Sequence, residues 1–423
     1  MRFHSLSEWL SWQERLHFKA IDLGLERCRE VAQKMDLLSP VYKVVSIAGT
    51  NGKGSSAAML DSIYLNAGYS VGTYTSPHLV RYNERIRING VEATDDMLCR
   101  AFNDVDQARG EITLTYFEFG TLAALQLFRD NAIELAILEV GLGGRLDAVN
   151  LLDADIALIT AISLEHQQWL GSTRDQIGRE KAGIMRPGRP AVCSDNAIPD
   201  SVIAHAADID AHLYRLGHEF WIEHNDQGWD WHCTRQTVPG LPKTGPYNTT
   251  LINNTAGVLM VVDLLSEWFP VQPQTLRTGL DQVAVPGRFQ VITGEIPVIL
   301  DVAHNPQAAA ILAQNLSNLE IKGETHMIIG MLDDKDHRAV LEALSMVVDR
   351  WYVVSLADER GTDGRVLDEI LQQTGNASVA GIFDSVDSAL ESAGSHARIG
   401  DRIVVSGSFL TVGAAIQKLS NRN

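Results

Sequence analysis

Cysteine is scarce: Cys28, Cys99, Cys193 and Cys233 are the four in the chain, far apart and with no Cys-x-x-Cys pair. That disfavours a zinc site or a disulfide framework, and lone buried thiols are expected instead. No apolar run approaches the roughly 18 residues that a membrane-spanning helix needs. The start of the chain, MRFHSLSEWLSWQERL, also lacks the unbroken apolar stretch of a secretory leader. It predicts a short amphipathic helix burying Leu6, Trp9, Leu10 and Trp12, and the cytoplasm is the simplest address. Without a leader, the Asn-x-Ser/Thr triplets at Asn248, Asn253, Asn315 and Asn376 carry no weight. A positive excess is missing too. The formal net charge of −18 argues against broad binding to nucleic acid or to anionic membranes. A small anionic substrate remains compatible, because a few cations and backbone N–H groups reverse the field locally.

What is present is alternation. At 423 residues the chain exceeds what one core usually organises, so two domains are expected. Apolar runs alternate with helical patterns, which predicts α/β architecture with mainly parallel sheets. Strands are expected at Val44–Ala48, Tyr69–Tyr74, Leu135–Val140 and Ile156–Ile162, with helices at Ser55–Ala67 and Gly120–Asp130. The stretch from Ala191 to Lys243, with Trp221, Trp229 and Trp231, predicts a small β-rich excursion, and a helix follows over Asn254–Trp268. Pro270, Pro273, Pro286 and Gly287 then punctuate the chain. Strands are expected again at Val298–Val302, Met327–Gly330, Trp351–Ser355 and Ile403–Ser406, with a helix at Ala339–Val348. The boundary falls near Pro286, dividing the chain into 1–285 and 286–423.

The strongest chemical signal is VVSIAGTNGKGSS, Val44 to Ser56. A buried strand enters a loop with Gly49, Gly52 and Gly54, and a helix leaves it. Glycines let consecutive backbone N–H groups turn toward a phosphate, and the helix N-terminus adds partial positive charge. Lys53 then reaches the β- and γ-phosphates, and the Ser55 hydroxyl reaches phosphate or its metal ion. The pattern is a variant one, since Gly54 separates Lys53 from Ser55. A plain glycine turn is the competing reading; strand, glycines, lysine, hydroxyl and helix together favour nucleotide.

The loop GTNGKGS is similar to that of the Mur ligase superfamily, and it has company. LGLER (Leu23–Arg27), TSPHL (Thr75–Leu79), NERI (Asn83–Ile86), Phe117–Glu118, EVGLGGRLDAVN (Glu139–Asn150) and EKAGI (Glu180–Ile184) follow the order of one family. PGRF (Pro286–Phe289), DVAHNP (Asp301–Pro306) and SGSF (Ser406–Phe409) continue it. By these blocks the chain resembles the folylpolyglutamate synthase/dihydrofolate synthase family along nearly its whole length. The resemblance implies an N-terminal P-loop-type, Mur ligase-like domain that holds ATP and the acid, and a smaller Rossmann-like C-terminal domain. It implies ATP as co-substrate, two Mg²⁺ ions, and dihydropteroate, folates and L-glutamate as the other small-molecule substrates of a monomer.

Roles carry over by position. Gly49, Thr50, Asn51, Gly52, Lys53, Gly54 and Ser55 match the ATP loop. Ser76, Glu139 and His166 match metal ligands, and Lys181 matches a lysine carbamylated in related enzymes. Asn254 matches a position near the adenine. Arg288 matches an arginine that reaches the phosphates, and Asp301 and His304 match nucleotide contacts. Arg145, Asp147 and Phe117 match the acid-binding side, and LTYFEFG (Leu114–Gly120) resembles members that accept dihydropteroate. Read without the family, Lys181 is an exposed helix cation, and Arg145 with Asp147 a surface ion pair. The chain departs from the family pattern at Glu165, Gln167, Gln168, Ile252 and Gln290. Two rivals remain open here: another Mur-type amino-acid ligase, and a nucleotide switch without ligation, which would need neither Lys181 nor Arg288, Asp301 and His304.

Overall fold

The computed structural model describes residues 1–242, 249–374 and 378–420; Lys243, Asn248 and Asn376 lie outside them. The chain forms two compact units. The first takes in Met1–His78, 82–242 and Thr249–Ala284; the second takes in Leu79–Arg81 and 285–420.

The first unit is built on eight strands, β1 Lys43–Ala48, β2 Val71–Tyr74, β3 Ile86–Ile88, β4 Val91–Glu92, β5 Leu135–Glu139, β6 Ile156–Ile159, β7 Pro190–Cys193 and β8 His212–Arg215. Their spatial order is β4-β3-β2-β5-β1-β6-β7-β8. From β2 to β8 every pairing is parallel, while β3 and β4 add an antiparallel edge. The central strands are buried on both faces, which is why they read as continuous apolar runs. Parallel strands also end on one edge, so the segments after Ala48, Tyr74, Glu139 and Ile159 gather together.

Several boundaries differ from the sequence expectation. The helix expected at Gly120 starts at Tyr116, because Thr115 and Glu118 form a reciprocal capping box. The strand expected from Tyr69 starts at Val71; the Tyr69 hydroxyl donates to the Pro270 carbonyl (3.0 Å) and its ring meets Phe269. β6 stops at Ile159 because the chain turns to pair Ala161 with Thr50. The irregular stretch after Ala191 divides in two. Its first part, β7, the helix Asp200–Asp208 and β8, extends the main sheet. Only Phe220–His224, Gly228–Cys233 and Thr237–Pro242 form a separate three-stranded sheet. Trp231 pins that sheet to the helix Thr249–Leu265 through an indole N–H donated to the Ala256 carbonyl (3.1 Å).

The N-terminal helix spans Leu6–Gln13 and is capped reciprocally by Ser5 and Glu8. Trp9 is fully buried with Phe102 and Phe119 near its ring, while Leu6, Leu10 and Trp12 are partly buried. All four cysteines are free and buried.

The second unit carries six strands in the order Gln290–Ile292, Val298–Leu300, Arg402–Ser406, Thr325–Ile329, Arg350–Val354, Val379–Phe383. All pairings but the first are parallel. Alternate residues of Thr325–Ile329 feed two cores: Met327 and Ile329 join one, Ile328 the other, so helices cover both faces. Buried His326 is a satisfied core histidine between the Tyr352 hydroxyl (3.1 Å) and Asp401 (3.2 Å).

Asp61, on the helix after β1, is a buried acid whose oxygen accepts the Thr73 hydroxyl (2.7 Å). Burial raises its pKa above the ordinary value, opposed by the Thr73 bond and by Arg87. A raised folded-state pKa contributes stability at low pH, and that contribution is lost as pH rises through it. Asp61→Asn keeps an acceptor and removes the charge. It is expected to raise the melting temperature at pH 7 and to lose that advantage near pH 4, as followed by calorimetry.

Candidate active site

The phosphate loop follows β1 with φ values of +154° at Gly49 and +96° at Gly52. A Cβ on Gly52 would lie 2.2 Å from the Asn254 amide nitrogen, so the helix Thr249–Leu265 presses its asparagine against the loop. Lys53 begins the next helix, and its ammonium folds back onto the carbonyls of Gly49 (3.0 Å) and Thr50 (3.3 Å). That position lets one lysine side chain exchange carbonyl partners for phosphate oxygens. Thr50 is buried and committed elsewhere. Its N–H donates to Ala161, its hydroxyl donates to the Ser163 carbonyl (3.1 Å), and it accepts the Ser163 N–H (3.1 Å). Asn51 forms a bridge with Ala161, so this side of the loop is zipped to the segment after β6.

Glu139 is the last residue of β5 and is 5% exposed. Its Oε2 accepts the Ser76 N–H (3.2 Å), and a Cβ on Gly54 would stand 3.6 Å from that same oxygen. Phosphate loop, Ser76 and carboxylate are therefore neighbours. Carboxylate and hydroxyl oxygens suit a hard divalent cation such as Mg²⁺. His166 has φ +50°, a left-handed conformation that few non-glycine residues adopt although histidine is enriched there, and stands at the N-cap of the short helix Gln167–Leu170 without a side-chain capping bond. Its Nε2 is 3.9 Å from Glu165. Among the described residues no three His, Cys, Asp or Glu side chains cluster as a metal site. Ser76, Glu139, His166 and Lys181 contain only two residues of those types, so this donor set depends on its hydroxyl and on Lys181.

Lys181 is not the exposed cation that the sequence by itself suggests. It is 4% exposed near the end of the helix Arg174–Ala182 and makes no ion pair among the described residues. Burial pushes its pKa down to about 7, and Lys53 adds to that, against Glu165 and Asp147. Such a lysine is partly neutral near pH 7, the state that reacts with CO₂.

Arg145 and Asp147 do not pair with each other. Arg145 meets Glu180 (2.9 Å). Asp147 is buried and accepts the N–H groups of Leu142 (2.8 Å) and Val149 (3.0 Å). Burial carries its pKa up to about 7 in spite of those bonds. Phe117 lies over Gly141, where a Cβ would come within 2.6 Å of its ring. In the second unit, Asp301 accepts the N–H groups of Phe289 and Ala303 (2.8 Å each). Burial raises its pKa and Arg288 opposes the rise. The Arg288 guanidinium stands over Phe409 (5.4 Å), and His304 Nδ1 lies 2.8 Å from the Val302 carbonyl, just before the helix Pro306–Asn318. Arg288, Asp301 and His304 thus share the loops of one unit with Phe409.

Sequence reasoning passed over Arg27, which meets Asp22 (2.5 Å) and the buried Glu118 (3.0 Å). It also passed over Arg85, which donates to His78 Nδ1 (2.8 Å). Burial, then Arg85, lowers the His78 pKa to about 4. Both arginines stand inside the blocks LGLER and NERI, which was the available signal. Arg174 and Asp195 stand in no block.

Comparison with known proteins agrees along the whole chain. The Mur ligase middle domain matches residues 47–226, and the Mur ligase glutamate ligase domain matches 287–409. A dihydrofolate synthase/folylpolyglutamate synthase of Escherichia coli (strain K12) is 41% identical over 417 residues, 99% of this chain and 96% of the relative. Among solved structures, E. coli FolC in complex with DHPP and ADP superposes with a TM-score of 0.93 at 41% identity, over 99% of this chain and 98% of that one. The bifunctional folylpolyglutamate synthase/dihydrofolate synthase of Yersinia pestis, complexed with AMPPNP and Mn ion, gives 0.90 at 42%, with the same coverage.

Proposed function

The chain belongs to the dihydrofolate synthase/folylpolyglutamate synthase family of Mur ligases, and from that premise we propose that it is a bifunctional ATP-dependent ligase. It joins L-glutamate to dihydropteroate, giving dihydrofolate, and to the γ-carboxylate of tetrahydrofolates. The observation that carries this reading is full-length identity of 41% to a protein bearing both activities. Residues 1–285 form the ATP- and folate-binding domain and 286–423 the C-terminal ligase domain of a cytoplasmic monomer. No helix of the described residues is long and apolar enough to cross a membrane.

The acid's carboxylate oxygen attacks the γ-phosphorus of ATP, and ADP leaves. The glutamate amine then attacks the acyl phosphate carbonyl, phosphate leaves, and the amine's proton passes to solvent. Such chemistry needs charge neutralisation and alignment more than it needs a covalent role for the protein. Lys53 and the N–H groups of Gly49 and of residues 51–55 hold the phosphates, and Arg288 contacts them as well. Asn254 contacts the adenine, and Asp301 and His304 contact the nucleotide. Phe117, Arg145 and Asp147 line the acid's side. Two Mg²⁺ ions, when bound, neutralise the triphosphate. Ser76, Glu139, His166 and Lys181 would hold them, with Lys181 as the carbamate formed when its neutral amine adds CO₂ and releases a proton.

The test is phosphate release from Mg-ATP and L-glutamate, with dihydropteroate in one reaction and tetrahydrofolate in another. Release that requires both glutamate and dihydropteroate, with dihydrofolate detected by mass, establishes the synthase. A ladder of added glutamates in the second reaction establishes the polyglutamylating activity. If neither acid stimulates release while ATP still binds, the folate assignment fails.

A further inference from the structure

The segment from Thr160 to His166 carries a proposed metal ligand and is anchored twice. One anchor is Thr50. The other is Ile162, whose two backbone groups are both held by side chains. Its N–H donates to Asp195 Oδ2 (2.7 Å), and its carbonyl accepts Arg174 Nε (2.8 Å). Arg174 and Asp195 also pair with each other (3.0 Å). The second guanidinium nitrogen reaches the Ala197 carbonyl (2.8 Å), and Asp195 Oδ1 accepts the Ala197 N–H (2.8 Å). Asp195 is 8% exposed while the Arg174 side chain is 40% exposed, so what sets this pair apart from an ordinary surface ion pair is that both members also bind backbone groups of Ile162 and Ala197.

What makes the clamp informative is where Arg174 sits. It is the first residue of the helix Arg174–Ala182, and Lys181 lies near the other end of that helix. A helix is a rigid spacer, so fixing Arg174 on Ile162 fixes the helix bearing Lys181 against the loop bearing His166. These two ligands come from different elements, and His166 holds a positive φ of +50°, a region histidine enters more often than most side chains but still at some cost. Bonds from outside the loop add to those that the His166 carbonyl accepts from Trp169 and Leu170. Ser76 and Glu139 need no such help, because Ser76 N–H is bonded directly to Glu139 at the sheet edge.

We propose that Arg174, paired with Asp195, is a positioning residue that holds His166 and Lys181 together as ligands of one of the two metal ions, Ser76 serving the other ion and Glu139 both. The inference rests on the metal-site reading given above. It predicts a split that general loosening of the fold would not produce: one metal ion of two is lost while nucleotide affinity is kept.

The test is Mn²⁺ titration of the full chain with saturating AMPPNP, counting free Mn²⁺ by electron paramagnetic resonance, on wild type, Arg174→Met, Arg174→Lys and Asp195→Asn. Wild type is expected to take up two ions. Arg174→Met and Asp195→Asn are expected to retain one at near wild-type affinity and to bind the second at least tenfold more weakly. Arg174→Lys, which can restore one bond to Ile162, is expected to fall between. AMPPNP affinity without metal is expected to stay within about twofold. Two ions at unchanged affinity in a folded Arg174→Met or Asp195→Asn overturn the proposal, as does parallel loss of both ions and nucleotide. A wild type that binds a single Mn²⁺ overturns the two-ion reading beneath it. Should Arg174→Met fail to fold, Asp195→Asn and Arg174→Lys decide by the same criteria.

Discussion

Lys181→Ala is expected to abolish ligation, with a loss of about 10³-fold or more, of the size seen when one preorganised electrostatic group is removed from a reaction centre. ATP affinity is expected to stay within a few-fold, because Lys53 and the loop backbone remain. The two halves together are what separates a ligase from a nucleotide switch. A lysine kept only as a cation beside phosphate would behave differently. It would sit where its charge is favoured, whereas burial and Lys53 both work against the ammonium of Lys181. A carbamate reverses the sign and turns that repulsion into attraction. Two further readouts follow. Exhaustive removal of CO₂ is expected to slow the wild type reversibly, with bicarbonate restoring it, and to leave the residual activity of Lys181→Ala unchanged. Near-normal ligation by a folded Lys181→Ala would remove Lys181 from the metal site. Phosphate release, isothermal titration with AMPPNP and a melting curve make the comparison complete.

The burial of Lys181 illustrates how far a sequence can be read. Periodicity exposes strands buried on both faces, so the strands expected at Val44–Ala48 and Leu135–Val140 were legible to within a residue at their ends. Glycines, lysine and hydroxyl at fixed spacing between strand and helix are what point the loop Gly49–Ser55 to phosphate, and the structure has the strand and helix on either side of it. Burial of a charged side chain inside a short helix is invisible to such patterns, since EKAGI looks like any exposed helix end. Only its company among the other blocks marked it. Thr50 shows a different gap: as part of GTNGKGS it is read with the phosphate, and nothing in that motif signals that its hydroxyl is engaged with Ser163. Arg174 and Asp195 belong to no motif because their partners are backbone groups of Ile162 and Ala197. A backbone group makes no demand on residue identity at its own position, so that clamp leaves a trace at only two places in the sequence. The edges of β6 and of the helix Tyr116–Asp130 shifted for the same kind of reason, a local side-chain or loop bond overriding propensity.

Gly52→Ala is expected to weaken ATP binding by about 10- to 100-fold, and two separable causes contribute. The first is backbone: φ is +96°, where an L-residue is strained by roughly 1–2 kcal/mol. The second is contact: the new methyl would sit 2.2 Å from Asn254 Nδ2 and 2.7 Å from its Cγ. Asn254 is 3% exposed on a buried helix, so it has little room to retreat. Moving it takes the proposed adenine contact away at the same time as the phosphate loop is deformed. Gly68 supplies the control for backbone strain, with φ +87° and no atom within 4 Å of a built Cβ. Gly68→Ala is therefore expected to lower the melting temperature modestly and to leave ATP affinity unchanged. The double variant Gly52→Ala/Asn254→Ala removes the clash but keeps the strain, so its loss is expected to be smaller than the sum of the two single losses. Additive losses would mean that loop and asparagine do not press on one another. Unchanged AMPPNP affinity in Gly52→Ala would mean that this loop does not hold the phosphates at all.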